Sequence, residues 1–150
     1  MRVIKLMLIS AVILFGLMTL ISLMIPSHVR ISRAIDINAA KPQLMPLIQQ
    51  RDEWPRWNAY AKEPGRFDIS IVESNDSLVV SRWKAGGKDF TSGMAVYEPR
   101  QGTLTVQWYF DFRLKWYPWE KFGSIMFDRQ LGSPMEESLV NLKQLAEADR

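Results

Sequence analysis

The chain has 150 residues, a formal net charge of +3 and no cysteine, and this length suits one domain with a modest core. Two of its 19 lysine and arginine residues, Arg2 and Lys5, precede an apolar segment, so beyond that segment 17 basic residues face 16 acidic ones. This even mixture argues against nucleic-acid binding, which needs clustered basic side chains. The lack of cysteine excludes disulfides and thiolate chemistry.

The N-terminal segment predicts a membrane anchor. Residues 6–25 are twenty residues without a charge, and a helix of that length spans about 30 Å, the thickness of bilayer hydrocarbon. The alternative is a cleaved signal peptide, whose apolar part is about 7 to 15 residues and is followed by small residues. At the end of this segment the chain has Leu23, Met24, Ile25 and Pro26 instead of small residues. We therefore predict a transmembrane anchor over residues 1–26 and a domain over residues 27–150.

Orientation is predicted from the charges that flank this segment. Arg2 and Lys5 precede it and Arg30 and Arg33 follow it, so the positive-inside count is nearly balanced. A short charged N-terminus with a folded domain behind it favours an N-in, C-out arrangement. We expect a single-pass protein of the bacterial inner membrane, with its C-terminal domain on the extracytoplasmic side.

Five strands are predicted from apolar alternation and from turn residues between the runs. They cover residues 28–38, 67–73, 77–85, 89–98 and 103–114. The last four are joined by short turns, which predicts an antiparallel meander. In the last run, one face carries a row of apolar residues, Leu104, Val106, Trp108, Phe110 and Phe112.

A long C-terminal helix is predicted within residues 119–148. Met135, Leu139, Leu142 and Ala146 recur at helical spacing and define one buried stripe. A helix start is indicated by Ser133 as cap, Pro134 in the first turn and Glu136 in a capping box. Helical spacing also continues upstream, so we expect a kink at residues 132–134 between two helical pieces.

The order of these elements resembles the START-like helix-grip superfamily, in the polyketide cyclase/dehydrase (SRPBCC) branch, which includes small proteins with an N-terminal membrane span. The matching segments are Ile37-Asn38-Ala39, Leu44 with Leu47-Ile48, Trp54-Pro55-Arg56-Trp57, Thr105-Val106-Gln107-Trp108, Gly132-Ser133-Pro134 and Leu139-Val140-Asn141-Leu142-Lys143. The resemblance implies an α+β fold in which a curved antiparallel sheet wraps the C-terminal helix, with an apolar ligand between them. The family sheet has about two more strands, so we expect a reduced domain of five or six strands.

The sequence predicts no catalytic centre, metal site or cofactor. The only histidine, His28, lies next to the membrane boundary, where a Ser-His-Asp arrangement is not expected. Metal binding needs several converging ligands, and the chain has neither a second histidine nor a cysteine.

Aromatic and methionine residues are the candidates for ligand binding, because flat rings and flexible thioethers accommodate irregular apolar molecules. The predicted pocket residues are Trp54, Trp57, Trp83, Met94, Trp108, Met126, Met135 and Leu139. The alternative is that these side chains fill a core.

A second aromatic group is flanked by basic residues, as is typical of side chains at the lipid headgroup layer. The candidates for the membrane interface are Arg113, Lys115, Trp116, Tyr117, Trp119 and Lys121. The alternative is a connection packed on the core.

We therefore expect a membrane-anchored, non-catalytic helix-grip domain that binds a hydrophobic or lipid-like small molecule, with membrane lipid as its neighbour. One alternative is an enzyme of cyclase or dehydratase type, with polar groups in the cavity; the candidates are Arg33, Arg82, Tyr97 and Gln107. Another is a packed interaction domain that binds another membrane protein.

Overall fold

The computed structural model describes residues 2–63 and 65–148, and the predicted limits 1–26 and 27–150 extend beyond this description at both ends. The described elements, in chain order, are α1 (Arg2–Met24), β1 (His28–Ile37), α2 (Lys41–Gln49), α3 (Trp54–Trp57), β2 (Asp68–Ser74), β3 (Leu78–Ala85), β4 (Lys88–Arg100), β5 (Thr103–Arg113), α4 (Pro118–Ser124) and α5 (Phe127–Ala148). Two short 3₁₀ turns, Arg51–Glu53 and Ala59–Lys62, flank α3.

The strands form one antiparallel sheet in the order β1-β5-β4-β3-β2. β2 to β5 pair as the predicted meander, and β1 lies beside β5 with His28 opposite Arg113 and Ile37 opposite Leu104. Side chains alternate between the two faces, so Val106 and Trp108 are buried under the sheet while Gln107 lies on its other face. The predicted five-stranded sheet is confirmed.

Helix α5 lies across the inner face of this sheet. Its stripe of Met135, Leu139, Leu142 and Ala146 is buried, with at most 2% of each residue exposed. Full burial of a large apolar side chain contributes about 1.5–3 kcal/mol, so this stripe is a major source of the attachment of α5 to the sheet. The sheet and helix together form the predicted helix-grip fold.

The predicted helix start at Ser133 and Pro134 is wrong. α5 begins at Phe127 and continues through Pro134, and the interruption lies at residues 125–126, between α4 and α5. The early turns of α5 are held by tertiary contacts, since the Phe127 ring packs 5.1 Å from that of Phe112. Glu136, the predicted capping-box residue, instead accepts a hydrogen bond from Arg33.

Helix α1 extends away from the domain, and most of its side chains are exposed. It is the one helix among the described residues that is long and apolar enough to cross a membrane. A signal sequence near the N-terminus can meet the same criteria of length and composition. The α1 helix therefore agrees with the predicted single-pass anchor without fixing its orientation.

Candidate functional site

Four tryptophans fill the space between the sheet and α5. Trp54, Trp57, Trp83 and Trp108 are each at most 2% exposed. The centroids of their rings lie 6.1 Å apart for Trp54 and Trp83, 5.9 Å for Trp57 and Trp108, and 6.4 Å for Trp83 and Trp108. These separations are those of aromatic rings in contact.

Each indole N–H in this group donates to an acceptor within the domain. Trp54 and Trp57 donate to the backbone carbonyls of Ile48 and Leu47, each at 2.9 Å. On the sheet, the acceptors are serine hydroxyls, Ser81 for Trp83 at 2.8 Å and Ser92 for Trp108 at 2.7 Å. Because these donors are satisfied internally, the rings are held in place and offer no polar group to a ligand.

Seven of the eight predicted pocket residues come together here, because Met94, Met135 and Leu139 are buried beside the tryptophans. They form a filled core between the sheet and α5. Met126 does not belong to this group: it is 50% exposed and lies in the interruption between α4 and α5.

Of the polar residues proposed for a cyclase-type enzyme, Tyr97 and Gln107 line one open pocket of about 720 Å³, and Arg33 and Arg82 do not line it. Arg82, Tyr97 and Gln107 alternate with buried residues and lie on the outer face of the sheet, where Gln107 donates to the Ser32 hydroxyl at 3.1 Å. Arg33 faces α5. It donates to Glu136 at 2.7 Å and to Asp128 at 3.0 Å, and the bond to Glu136 is the chief reason that the pKa of Arg33 is raised.

His28 lies at the start of β1 on the outer face. Its Nε2 atom is 3.9 Å from a carboxylate oxygen of Asp111, which is also bound by Arg30 at 2.7 Å. No group of three or more potential metal ligands occurs among residues 2–63 and 65–148.

A pocket of about 330 Å³, which we call the mouth pocket, lies at the end of the sheet where β5 finishes. It is bounded by the β3–β4 turn, the end of β5, α4 and the start of α5. Its apolar walls are Phe112, Leu114 and Phe127. The charged residues that line it are Lys88, Asp89, Arg113, Lys115 and Glu120.

Glu120 organises the charged side of the mouth pocket. Its carboxylate accepts a 2.8 Å hydrogen bond from the backbone N–H of Lys115 and lies 3.3 Å from the ammonium of Lys88. The Lys115 N–H is the largest cause, and Lys88 a further one, of the lowered pKa of Glu120. With Glu120 engaged in this way, Arg113 and Lys115 remain exposed at the opening.

The mouth pocket adjoins the end of α1. The backbone N–H of Leu114, one wall of the pocket, donates to the carbonyl of Ser27 at 2.8 Å. Lys121 donates from its ammonium to the carbonyl of Ile25 at 2.6 Å and is only 3% exposed. The charged end of Lys121 is therefore occupied within the junction, and its assignment to the membrane interface stays a prediction.

Of the six predicted interface residues, the other five share one end of the domain. The rings of Trp116 and Tyr117 lie 4.9 Å apart, and Tyr117 and Trp119 stack at 4.9 Å with planes 3° apart. The ammonium of Lys115 is 6.0 Å from the Tyr117 ring centroid. Trp116 and Trp119 are 59% and 63% exposed, so this ladder of rings faces outward.

Comparison with protein-family models finds no match, and comparison with curated proteins finds none. Solved structures do match. The di-domain ARO/CYC protein StfQ of the steffimycin biosynthetic pathway is 12% identical with a TM-score of 0.58, over 81% of this chain and 51% of StfQ. A Nitrosospira multiformis protein is 10% identical with a TM-score of 0.64, over 81% and 100% of the two chains.

Truncated norcoclaurine synthase from Thalictrum flavum is also similar, with 12% identity and a TM-score of 0.53, over 79% of this chain and 92% of the synthase. This chain thus spans about half the length of StfQ and nearly all of the synthase. Such similarities define the fold class: residues beyond α1 form a helix-grip domain. The resemblance predicted from the sequence is confirmed at this level.

The apolar walls of the mouth pocket were absent from the predicted site. The sequence did indicate one of these walls, Phe112, because the inward apolar row of β5 continues past Trp108 to Phe112. The pairing of Lys88 with Glu120 had no local signal, because these residues are far apart in sequence and meet only through the β3–β4 turn and α4.

Proposed function

We propose that this protein is a membrane-anchored helix-grip domain that binds a hydrophobic or lipid-like small molecule, without catalysis, in the mouth pocket. The observation on which this proposal rests is a 330 Å³ pocket with walls of Phe112, Leu114 and Phe127 beside the end of α1. Ligand sites of ordinary size occupy about 300–1,000 Å³ and combine apolar walls with a few polar groups. An apolar chain fits the walls, and an anionic or polar head fits beside Arg113 and Lys115.

The position of the pocket favours an amphiphile from the bilayer. Leu114 belongs both to the pocket and to the junction with Ser27, so a membrane crossed by α1 brings lipid headgroups to the opening. In this proposal residues 1–26 are the anchor of a bacterial inner-membrane protein and residues 27–150 face the extracytoplasmic side. The structural neighbours support a small organic ligand, since StfQ is described as a protein of a biosynthetic pathway and the Thalictrum protein as a synthase.

A binding role without catalysis is supported by the placement of the polar side chains. Arg82, Tyr97 and Gln107 lie on the outer face, and Arg33 is engaged by two carboxylates of α5. None of these four residues lines the mouth pocket. General acid–base catalysis requires a group within hydrogen-bond reach of the reacting atom, and these four positions do not supply one there. The carboxylate of Glu120, which does line the pocket, is already engaged by the Lys115 N–H and by Lys88.

The test is native mass spectrometry of the full chain released from its own membranes in mild detergent. We expect a defined lipid or apolar metabolite to be retained by the wild type. Leu114→Trp places an indole in the pocket and should reduce retention at least tenfold. The matched control is Val72→Trp, at an exposed position of β2, which should retain the ligand as the wild type does.

A ligand-free wild type, or equal retention by Leu114→Trp and the wild type, would contradict the proposal. Thermal unfolding of each variant checks that folding is intact. A ligand-free mass with a cooperative unfolding transition would instead support the second candidate, a packed interaction domain. That candidate is favoured by one observation, the central core filled by four tryptophans with internally bonded N–H groups.

A further inference from the structure

Exposed apolar side chains outside α1 concentrate in one short segment. Among the described residues beyond α1, the large hydrophobic residues that are exposed are Val72, Tyr97, Trp116, Trp119, Ile125, Met126 and Val140. Four of these seven fall within residues 116–126, with exposures of 50–65%. Single exposed apolar residues need no explanation, whereas a cluster of them marks an interaction surface.

The aromatic part of this segment is ordered by its own contacts. Trp116, Tyr117 and Trp119 form the ladder described above, with the Tyr117 and Trp119 planes 3° apart. Arg113 and Lys115 precede the ladder and are exposed. Amphipathic rings beside basic side chains suit the boundary between hydrocarbon and water, because the rings enter the apolar side and the charges reach phosphates.

Residues 116–126, which include α4, lie beside the end of α1. Helix α4 contacts α1, and Ser22 is fully buried although most of α1 is exposed. Lys121 of α4 binds the carbonyl of Ile25 at 2.6 Å. These contacts put α4 beside the last turn of α1, a length of about 5 Å along the helix. A helix that crosses the bilayer leaves the hydrocarbon near its last apolar turn.

We propose that residues 116–126 form a membrane-docking surface, with Trp116, Trp119, Ile125 and Met126 seated in the lipid headgroup layer. This inference rests on the part of the proposed function that places α1 across a membrane, and it is independent of ligand binding. The occupant of the surface is the lipid layer, because α4 is fastened to the turn of α1 that enters that layer. The domain then has one orientation, with the mouth pocket towards the bilayer.

The absence of cysteine in the chain allows single nitroxide labels without background. The full chain would be labelled at Met126→Cys in nanodiscs that hold one copy each, made of phosphatidylcholine and phosphatidylglycerol. Power saturation then compares collisions with oxygen, which partitions into lipid, and with a water-soluble nickel chelate. We expect the ratio of oxygen to nickel collisions to be several-fold higher at Met126→Cys than at the control, Val72→Cys.

A second variant tests the aromatic ladder. Trp116→Glu together with Trp119→Glu changes two exposed side chains and should lower the collision ratio at Met126→Cys towards the value at Val72→Cys. The control, Tyr97→Glu, changes an exposed aromatic residue on the outer face of the sheet and should leave the ratio unchanged.

Each of the following results would overturn the inference. A collision ratio at Met126→Cys equal to that at Val72→Cys would show a surface in water. An immobilised label without oxygen enrichment would indicate contact with protein. Extraction of the chain from membranes by alkaline carbonate would show that α1 is not a span, and would remove the anchor from the proposed function as well. Loss of docking with retained ligand would overturn this inference alone.

Discussion

The ammonium of Lys121 donates a 2.6 Å hydrogen bond to the backbone carbonyl of Ile25, and this bond joins α4 to the end of α1. The last carbonyls of a helix have no partner within the helix, and the negative end of its dipole favours a cation there. Lys121 meets both requirements while only 3% exposed. Together with the bond from Leu114 to Ser27, it makes the link between α1 and the rest of the domain a packed junction.

Replacing this lysine should loosen the junction. Lys121→Met keeps most of the side-chain volume and removes the ammonium, so the carbonyl of Ile25 loses its donor. A hydrogen bond to a charged group contributes about 1.5–3 kcal/mol, and we expect a local loss of that order. Hydrogen exchange followed by mass spectrometry should show faster exchange at the Leu114 amide, which donates to Ser27 in the same junction.

The control for this change is Lys84→Met, which removes an exposed lysine on β3. Its exchange at the junction should equal that of the wild type. Equal exchange in Lys121→Met and the wild type would mean that the junction is held by other contacts.

The four central tryptophans should dominate the stability of the domain. Trp108 is fully buried against Trp57 and Trp83, and truncation of a buried large aromatic residue costs about 3–5 kcal/mol. We expect Trp108→Ala to lower the free energy of unfolding by this amount. Trp119→Ala removes the same side chain from a position that is 63% exposed, and in detergent it should change stability by about 0.5 kcal/mol or less.

Denaturant unfolding of both variants in the same detergent measures this contrast. Similar losses of unfolding free energy for the two variants would contradict a filled core between the sheet and α5. Such a result would also make Trp108 a candidate wall of a larger internal site.

The fold was accessible from the sequence because its periodicities are local. Apolar alternation in β5 reproduces the buried row from Leu104 to Phe110, and the spacing of Met135, Leu139 and Leu142 gives the buried face of α5. Turn residues between the strands fixed the meander. In each case the pattern lies within one element, and the burial of one face follows directly from it.

The helix start and the pocket were less accessible because they depend on contacts between distant residues. Ser133, Pro134 and Glu136 form a good start signal, yet α5 begins at Phe127, where the Phe112 ring packs against it. Tertiary packing outweighs local capping there. The mouth pocket is assembled from four parts of the chain, so the sequence predicted aromatic residues that fill the core instead of those at its open end.

The stability of the domain should depend on pH through Glu120. Its pKa is lowered in the folded protein, chiefly by the Lys115 N–H and also by Lys88. A carboxyl group with a lowered folded-state pKa stabilises the fold fully above its unfolded value, about 4.3, and this stabilisation is lost as the pH falls through the folded value. Glu120→Gln should therefore be less stable than the wild type at pH 7, by about 1 kcal/mol.

The wild type and Glu120→Gln should converge in stability as the pH is lowered from about 5 to 3. Protonation removes from the wild type the negative charge that the substitution removes from the variant. Denaturant unfolding at several pH values measures this convergence. The control is Glu137→Gln, on an exposed position of α5, which should match the wild type at pH 7. A difference between Glu120→Gln and the wild type that grows on acidification would show that Glu120 is not the stabilising anion at the mouth pocket.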